Sequence, residues 1–134
     1  MAADAPTSRP ETPEARTGRL GEEAAAAWLE RAGFTIVARN WRAGRYELDI
    51  VALRGDELHF VEVKTRRPQA LTAPEEALTL PKRRALRRAA SAFLAAAGRR
   101  FAGCDPRFDL AAVHGSEAGG MEVEWIPDAI LFGW

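Results

Sequence analysis

The residues with most chemical potential lie between Tyr46 and Arg66. Residues 47–50 alternate charged and apolar side chains, and an apolar run follows to 53. At a strand's period of two, Glu47, Asp49 and Val51 share one face, and Leu48, Ile50 and Ala52 the other. In the next apolar stretch Phe60, Glu62 and Lys64 share a face, opposed by Val61 and Val63. Two neighbouring strands thus carry ionisable groups among residues that belong in a core, where an unpaired charge is expensive. A hairpin would set Asp49 beside Glu62, with Lys64 next to them. Two adjacent carboxylates repel unless a proton or a cation lies between them. A hard divalent cation suits such a pair, and Mg²⁺ typically adds water and substrate phosphate to one or two carboxylates. Lys64 could then orient or deprotonate a water, or offset charge building on a phosphate. The plainer reading is a structural ion pair on a half-wet antiparallel sheet, and alternation alone does not separate the two.

These groups need elements to hold them. Residues 1–16 lack apolar periodicity and are expected to form a disordered tail, followed by one domain over 17–134. A helix is expected from an N-cap at Thr17, with Leu20, Ala24, Ala27 and Trp28 at helical spacing and Gly33 as its stop. Strands are expected over 34–40, 47–53 and 57–65, the last two joined by a tight turn at Arg54-Gly55-Asp56. A short helical turn falls within 74–80. A second helix opens at Pro81 and closes at Gly98, and strands over 108–114 and 122–126 follow. The order is that of one α/β domain: a mixed central sheet of about five strands flanked by helices.

Composition narrows the choices further. The chain has 134 residues, and 47% of them are hydrophobic, enough for a core. The single cysteine, Cys104, excludes a disulfide framework or a Cys-rich zinc module. No apolar run approaches the ~20 residues of a membrane helix, and no secretory signal opens the chain, so a cytoplasmic protein with no membrane partner is expected. The 19 Lys and Arg balance the 19 Asp and Glu, which excludes a polycationic nucleic-acid coat. The balance is a cancellation between segments. Eight basic residues and only Asp105 on the acidic side fall within 82–107, whereas 108–134 holds five acids and no Lys or Arg. Arg84, Arg87 and Arg88 share a helix face with Ser91, Lys82 precedes them, and Arg66 and Arg67 follow Lys64. This is either a solvated face or a phosphate-binding surface that relieves its own repulsion. Trp41, beside Arg42 and Arg45, is the tryptophan best set to stack on a base. His59 reads as a packed or edge histidine.

Asp49, then Glu62-Val63-Lys64, resembles the D…ExK signature of restriction-endonuclease-like nucleases. The wider pattern resembles the YraN-like family of uncharacterised bacterial proteins. It includes Gly21-Glu22 with Ala25, Gly33, Asn40, residues 47–52, residues 60–66, Lys82, and Arg107-Phe108-Asp109. The match covers about residues 18–132. It implies a restriction-endonuclease-like core, similar to that of archaeal Holliday junction resolvases. By that resemblance, Asp49, Glu62 and the main-chain carbonyl of Val63 would bind Mg²⁺ or Mn²⁺. Glu22 would be a further carboxylate of the metal site, Lys64 the catalytic lysine, and Glu47 a member of the same motif. Taken alone, Glu22 better suits the start of a helix dipole, and Glu47 equally suits a solvated strand position. One position departs from the family: Tyr46 precedes Glu47 where the pattern has Gly.

The expected function is hydrolysis of phosphodiester bonds in DNA, branched DNA included, ahead of structured RNA. Junction-cutting enzymes of this fold would imply a homodimer. The alternative is a nucleic-acid-binding protein without turnover on a nuclease-like scaffold. A third option is an accessory subunit with Trp125 or Trp134 in an exposed apolar patch.

Overall fold

The computed structural model describes residues 9–66, 72–116 and 118–130. Helix α1 spans Pro13–Arg31, and strands β1 (Thr35–Ala43), β2 (Tyr46–Arg54) and β3 (Glu57–Arg66) follow. A short 3-10 turn at Pro74–Ala77 leads into helix α2 (Leu80–Ala97), then strands β4 (Asp105–Ser116) and β5 (Gly120–Ile126). The five strands form one sheet in the order β1-β2-β3-β4-β5. β3 and β4 are parallel, with α2 in the crossover, and the other neighbours are antiparallel. This is the mixed five-stranded α/β architecture expected from the sequence.

Each sheet face has its own core. Ala25, Ala26 and Leu29 of α1 pack with Phe34, Ile50, Ala52, Val61, Ala111 and Val113. Leu86, Ala89, Ala90 and Phe93 of α2 pack with Leu48, Val51, Leu58, Phe60 and Leu110. A sheet covered on both faces needs apolar residues at successive positions, which is why the central strands read as near-continuous hydrophobic runs.

Three expectations need correction. α1 begins at Pro13, so residues 13–16 of the expected tail are helical. Thr12, not Thr17, is the N-cap; its side chain accepts from the Ala15 N–H at 3.0 Å, and Pro13 takes the position where a missing N–H does no harm. α2 begins one residue before Pro81, with the Thr79 side chain as its cap. The third correction bears on the site. Leu48 does not share a face with Ile50 and Ala52: it packs on the α2 side, and they pack on the α1 side. The β1–β2 ladder runs through Arg39↔Ile50 and Trp41↔Leu48 and skips the residues between, Asn40 and Asp49. Asn40 has a φ of 50°, a left-handed conformation that Asn tolerates better than most residues. The strand thus changes face at Asp49.

Among the described residues no helix is long and apolar enough to cross a membrane.

Candidate metal and nucleic-acid site

β2 and β3 pair from Arg54↔Glu57 as far as Ile50↔Val61, and the pairing ends there. The Val63 N–H then has no strand partner on that side, and the Asp49 carboxylate accepts it at 2.9 Å. A backbone donor left by the parting strands is thus satisfied by the side chain that the sequence singles out. The Asp49 and Glu62 carboxyl groups are close enough for their charges to repel. Burial and the neighbouring Asp49 push Glu62 up to about 7. Burial also raises Asp49, against the lowering effect of the Val63 N–H.

Two further groups complete the cluster. Lys82, in the first turn of α2, places Nζ 3.2 Å from Glu62 Oε2. Burial alone would lower its pKa, but Glu62 and then Asp49 and Glu47 raise it. Grouped with the basic helix face in the sequence, Lys82 instead turns in toward the carboxylates. Glu22 approaches from α1. Burial raises it, the charge of Asp49 adds to that, and a hydrogen bond to the Asn40 side chain opposes them. Asn40 therefore has a role that alternation did not suggest: its left-handed backbone and its amide both serve the site.

Glu22 reaches this position because α1 lies very close to β3. A Cβ built on Gly21 would sit 1.9 Å from Thr65 Oγ1, so no other residue fits without a shift. Glu22, Val63, Lys64, Thr65 and Arg66 line a pocket of about 490 Å³ together with the first turns of α1. Lys64 is exposed there and makes no ion pair among the described residues. Glu47 lies on the rim, mostly exposed, 3.4 Å from Arg42.

The remaining candidates are more dispersed. Arg66 donates to Thr72 Oγ1 at 2.6 Å beside the Lys64 pocket. Arg67 and Trp134 lie outside the described residues. Arg84, Arg87 and Arg88 line a different cavity with Tyr46 and Ser91. Trp41 is not free to stack on a base, since it packs edge-on against Phe93. Trp125 stacks on Trp28 instead of forming an open patch.

A second polar cluster was missed in the sequence. His59 is buried, with Nδ1 donating to Asp109 at 2.5 Å and Nε2 to Glu57 at 3.1 Å. A carboxylate on each ring nitrogen calls for the doubly protonated ring. Burial opposes that charge, yet Asp109 and Glu57 together raise the pKa. Glu57 precedes it by two on β3 and Asp109 lies on β4, two residues beyond the His59↔Arg107 pair, which no single-strand pattern reveals.

The donor set suits a hard divalent ion. Among the described residues no three His, Cys, Asp or Glu side chains are arranged to hold a metal by themselves. The pair Asp49–Glu62, with the neighbouring backbone carbonyl, leaves the other positions to water and substrate, as Mg²⁺ sites usually do. In this structure the Lys82 ammonium is the positive charge beside the pair.

The family model described as the uncharacterised protein family UPF0102 matches residues 21–113, well over half of the chain. A UPF0102 protein of Nitratidesulfovibrio vulgaris strain DP4 is 55% identical over 97 residues, covering 72% of this chain and 71% of its own. One from Bacteroides thetaiotaomicron is 45% identical over 113 residues, covering 84% and 89%. One from Moorella thermoacetica is 45% identical over 98 residues, covering 73% and 80%. None of these names states an activity.

Proposed function

The chain belongs to the uncharacterised protein family UPF0102, and within that family we propose that it is a metal-dependent nuclease acting on DNA, with branched DNA and structured RNA as the forms to compare. One observation carries this reading: two partly buried carboxylates, Asp49 and Glu62, meet at the point where two strands part, with the Lys82 ammonium beside them. Binding to phosphate alone has no use for local negative charge, so the cluster makes chemical sense as a cation site.

Asp49, Glu62 and the Val63 carbonyl would hold Mg²⁺ or Mn²⁺. The ion would supply a polarised phosphoryl oxygen and a more acidic bound water. Glu22 would orient that water from α1. Lys64, open to the adjoining pocket, would stabilise charge on the phosphorus oxygens. Lys82 would leave Glu62 and keep the carboxylates charge-balanced between turnovers. Arg66, Arg84 and Arg88 would bind the flanking phosphates.

The Glu62–Lys82 pair also supports a second reading, because it balances the cluster without metal. On that reading the chain binds nucleic acid without cutting it. The two separate in one assay with branched, single-stranded and duplex DNA and transfer RNA, each with Mg²⁺ or Mn²⁺. The nuclease reading expects cleavage that Asp49→Ala and Lys64→Ala abolish. Salt-sensitive binding that survives Asp49→Ala, with no cleavage under any metal, supports the second reading.

A further inference from the structure

A second cavity, of about 500 Å³, opens between the start of β2 and the exposed side of α2. Tyr46, Arg84, Arg87, Arg88 and Ser91 line it. It shares no lining residue with the Glu22–Lys64 pocket. It is nevertheless next to the carboxylates along the chain: Tyr46 precedes Glu47, and Arg84 lies two residues beyond Lys82.

The lining combines one aromatic ring, one hydroxyl and three guanidinium groups, with no carboxylate. Arg84 and Arg88 have no ion pair or hydrogen bond among the described residues. Like charges one turn apart on a helix repel, so this arrangement favours a bound anion. An anion alone does not account for Tyr46. Its ring is partly buried against the α2-side core, which holds it in place. The guanidinium of exposed Arg45 is 5.9 Å from the ring centroid, at the limit of a cation–π contact. The volume falls in the range of small-ligand sites, roughly 300–1,000 Å³, and is too small for a duplex.

We propose that this cavity holds one unpaired nucleotide, with its base on the Tyr46 ring and its phosphate on Arg84 and Arg88. A ring reaches the face of a base only when that base has left its stack, whereas paired nucleotides offer mainly phosphates. The substrate class is therefore nucleic acid with unpaired nucleotides beside the scissile phosphate. The placement beside the scissile phosphate rests on the nuclease reading, but the binding does not.

The test uses the full chain carrying Asp49→Asn, in EDTA, so that neither metal nor cleavage enters. Fluorescence anisotropy compares a labelled single-stranded oligodeoxynucleotide with a duplex of the same length. Tyr46→Ala is expected to weaken single-strand binding by roughly tenfold and to leave duplex binding nearly unchanged. Tyr46→Phe keeps the ring and is expected to retain affinity, which separates stacking from misfolding. Replacing Arg84 and Arg88 by Ala is expected to weaken both forms and reduce the salt dependence by about two phosphate contacts. Deoxyadenosine monophosphate is expected to compete better than inorganic phosphate. Equal effects of Tyr46→Ala on both forms, or none on either, overturn the proposal. So does inorganic phosphate competing as well as the nucleotide. A protein that passes this test but cleaves nothing keeps the cavity and loses the nuclease. An active nuclease that fails it does the reverse.

Discussion

Gly21→Ala is the substitution whose effect is most directly determined by distance. The added Cβ would sit 1.9 Å from Thr65 Oγ1 and 3.1 Å from Thr65 Cβ. Turning the threonine side chain relieves the first contact but not the second. α1 must therefore move outward by a few tenths of an ångström, because carbon–carbon contacts are comfortable only at about 3.5–4 Å. Such overpacking costs about 1–3 kcal/mol. Alanine recovers about 1 kcal/mol of helix propensity over glycine. The net loss is about 0–2 kcal/mol, a drop in Tm of up to several degrees for a domain of this size. Gly18, one turn earlier, provides the control. Nothing lies within 4 Å of its Cβ position, so Gly18→Ala gains the propensity without the clash. Thermal unfolding followed by circular dichroism should give opposite shifts for the two variants, and Thr65→Ala should recover part of the Gly21→Ala loss. If both glycine variants rise together, α1 does not lie this close to β3, and the route by which Glu22 reaches the site is wrong.

Further outcomes follow from the two polar clusters. Asp109→Ala leaves His59 buried with one acceptor fewer and is expected to lose about 3 kcal/mol in chemical denaturation. The folded pKa of His59 is raised, so its stabilising contribution is complete below its ordinary value of 6.5 and is lost as pH rises through the folded value. A Tm-versus-pH profile in which His59→Gln removes that loss checks the sign. Glu62 is pushed up to about 7, so metal must displace a proton near neutrality. Mn²⁺ affinity by calorimetry should then rise by about tenfold per pH unit below 7 and level off above it. A flat profile would show that Glu62 is not a ligand.

The sequence made the strands and the central constellation legible because their patterns are local. Asp49 and the Glu62-Val63-Lys64 run lie on adjacent strands joined by a two-residue turn, so spacing alone nearly brings them together. The start of α1 was hidden because residues 13–17 contain no large apolar side chain; only the Thr12-Pro13 cap marks it. The face of Leu48 was misread because alternation assumes a regular pleat, and the pleat is interrupted where left-handed Asn40 lies opposite Asp49. Lys82 and Asp109 were obscure for a third reason. Each meets its partner across the β3–α2–β4 crossover, at separations that no periodicity reports.

The central claim is a divalent cation between two carboxylates. A crystal soaked in Mn²⁺ and measured for anomalous scattering tests it most directly. The expected result is a peak bound by Asp49, Glu62 and the Val63 carbonyl, with Lys82 withdrawn from Glu62. No peak at that position, with the Glu62–Lys82 pair intact, would contradict the account.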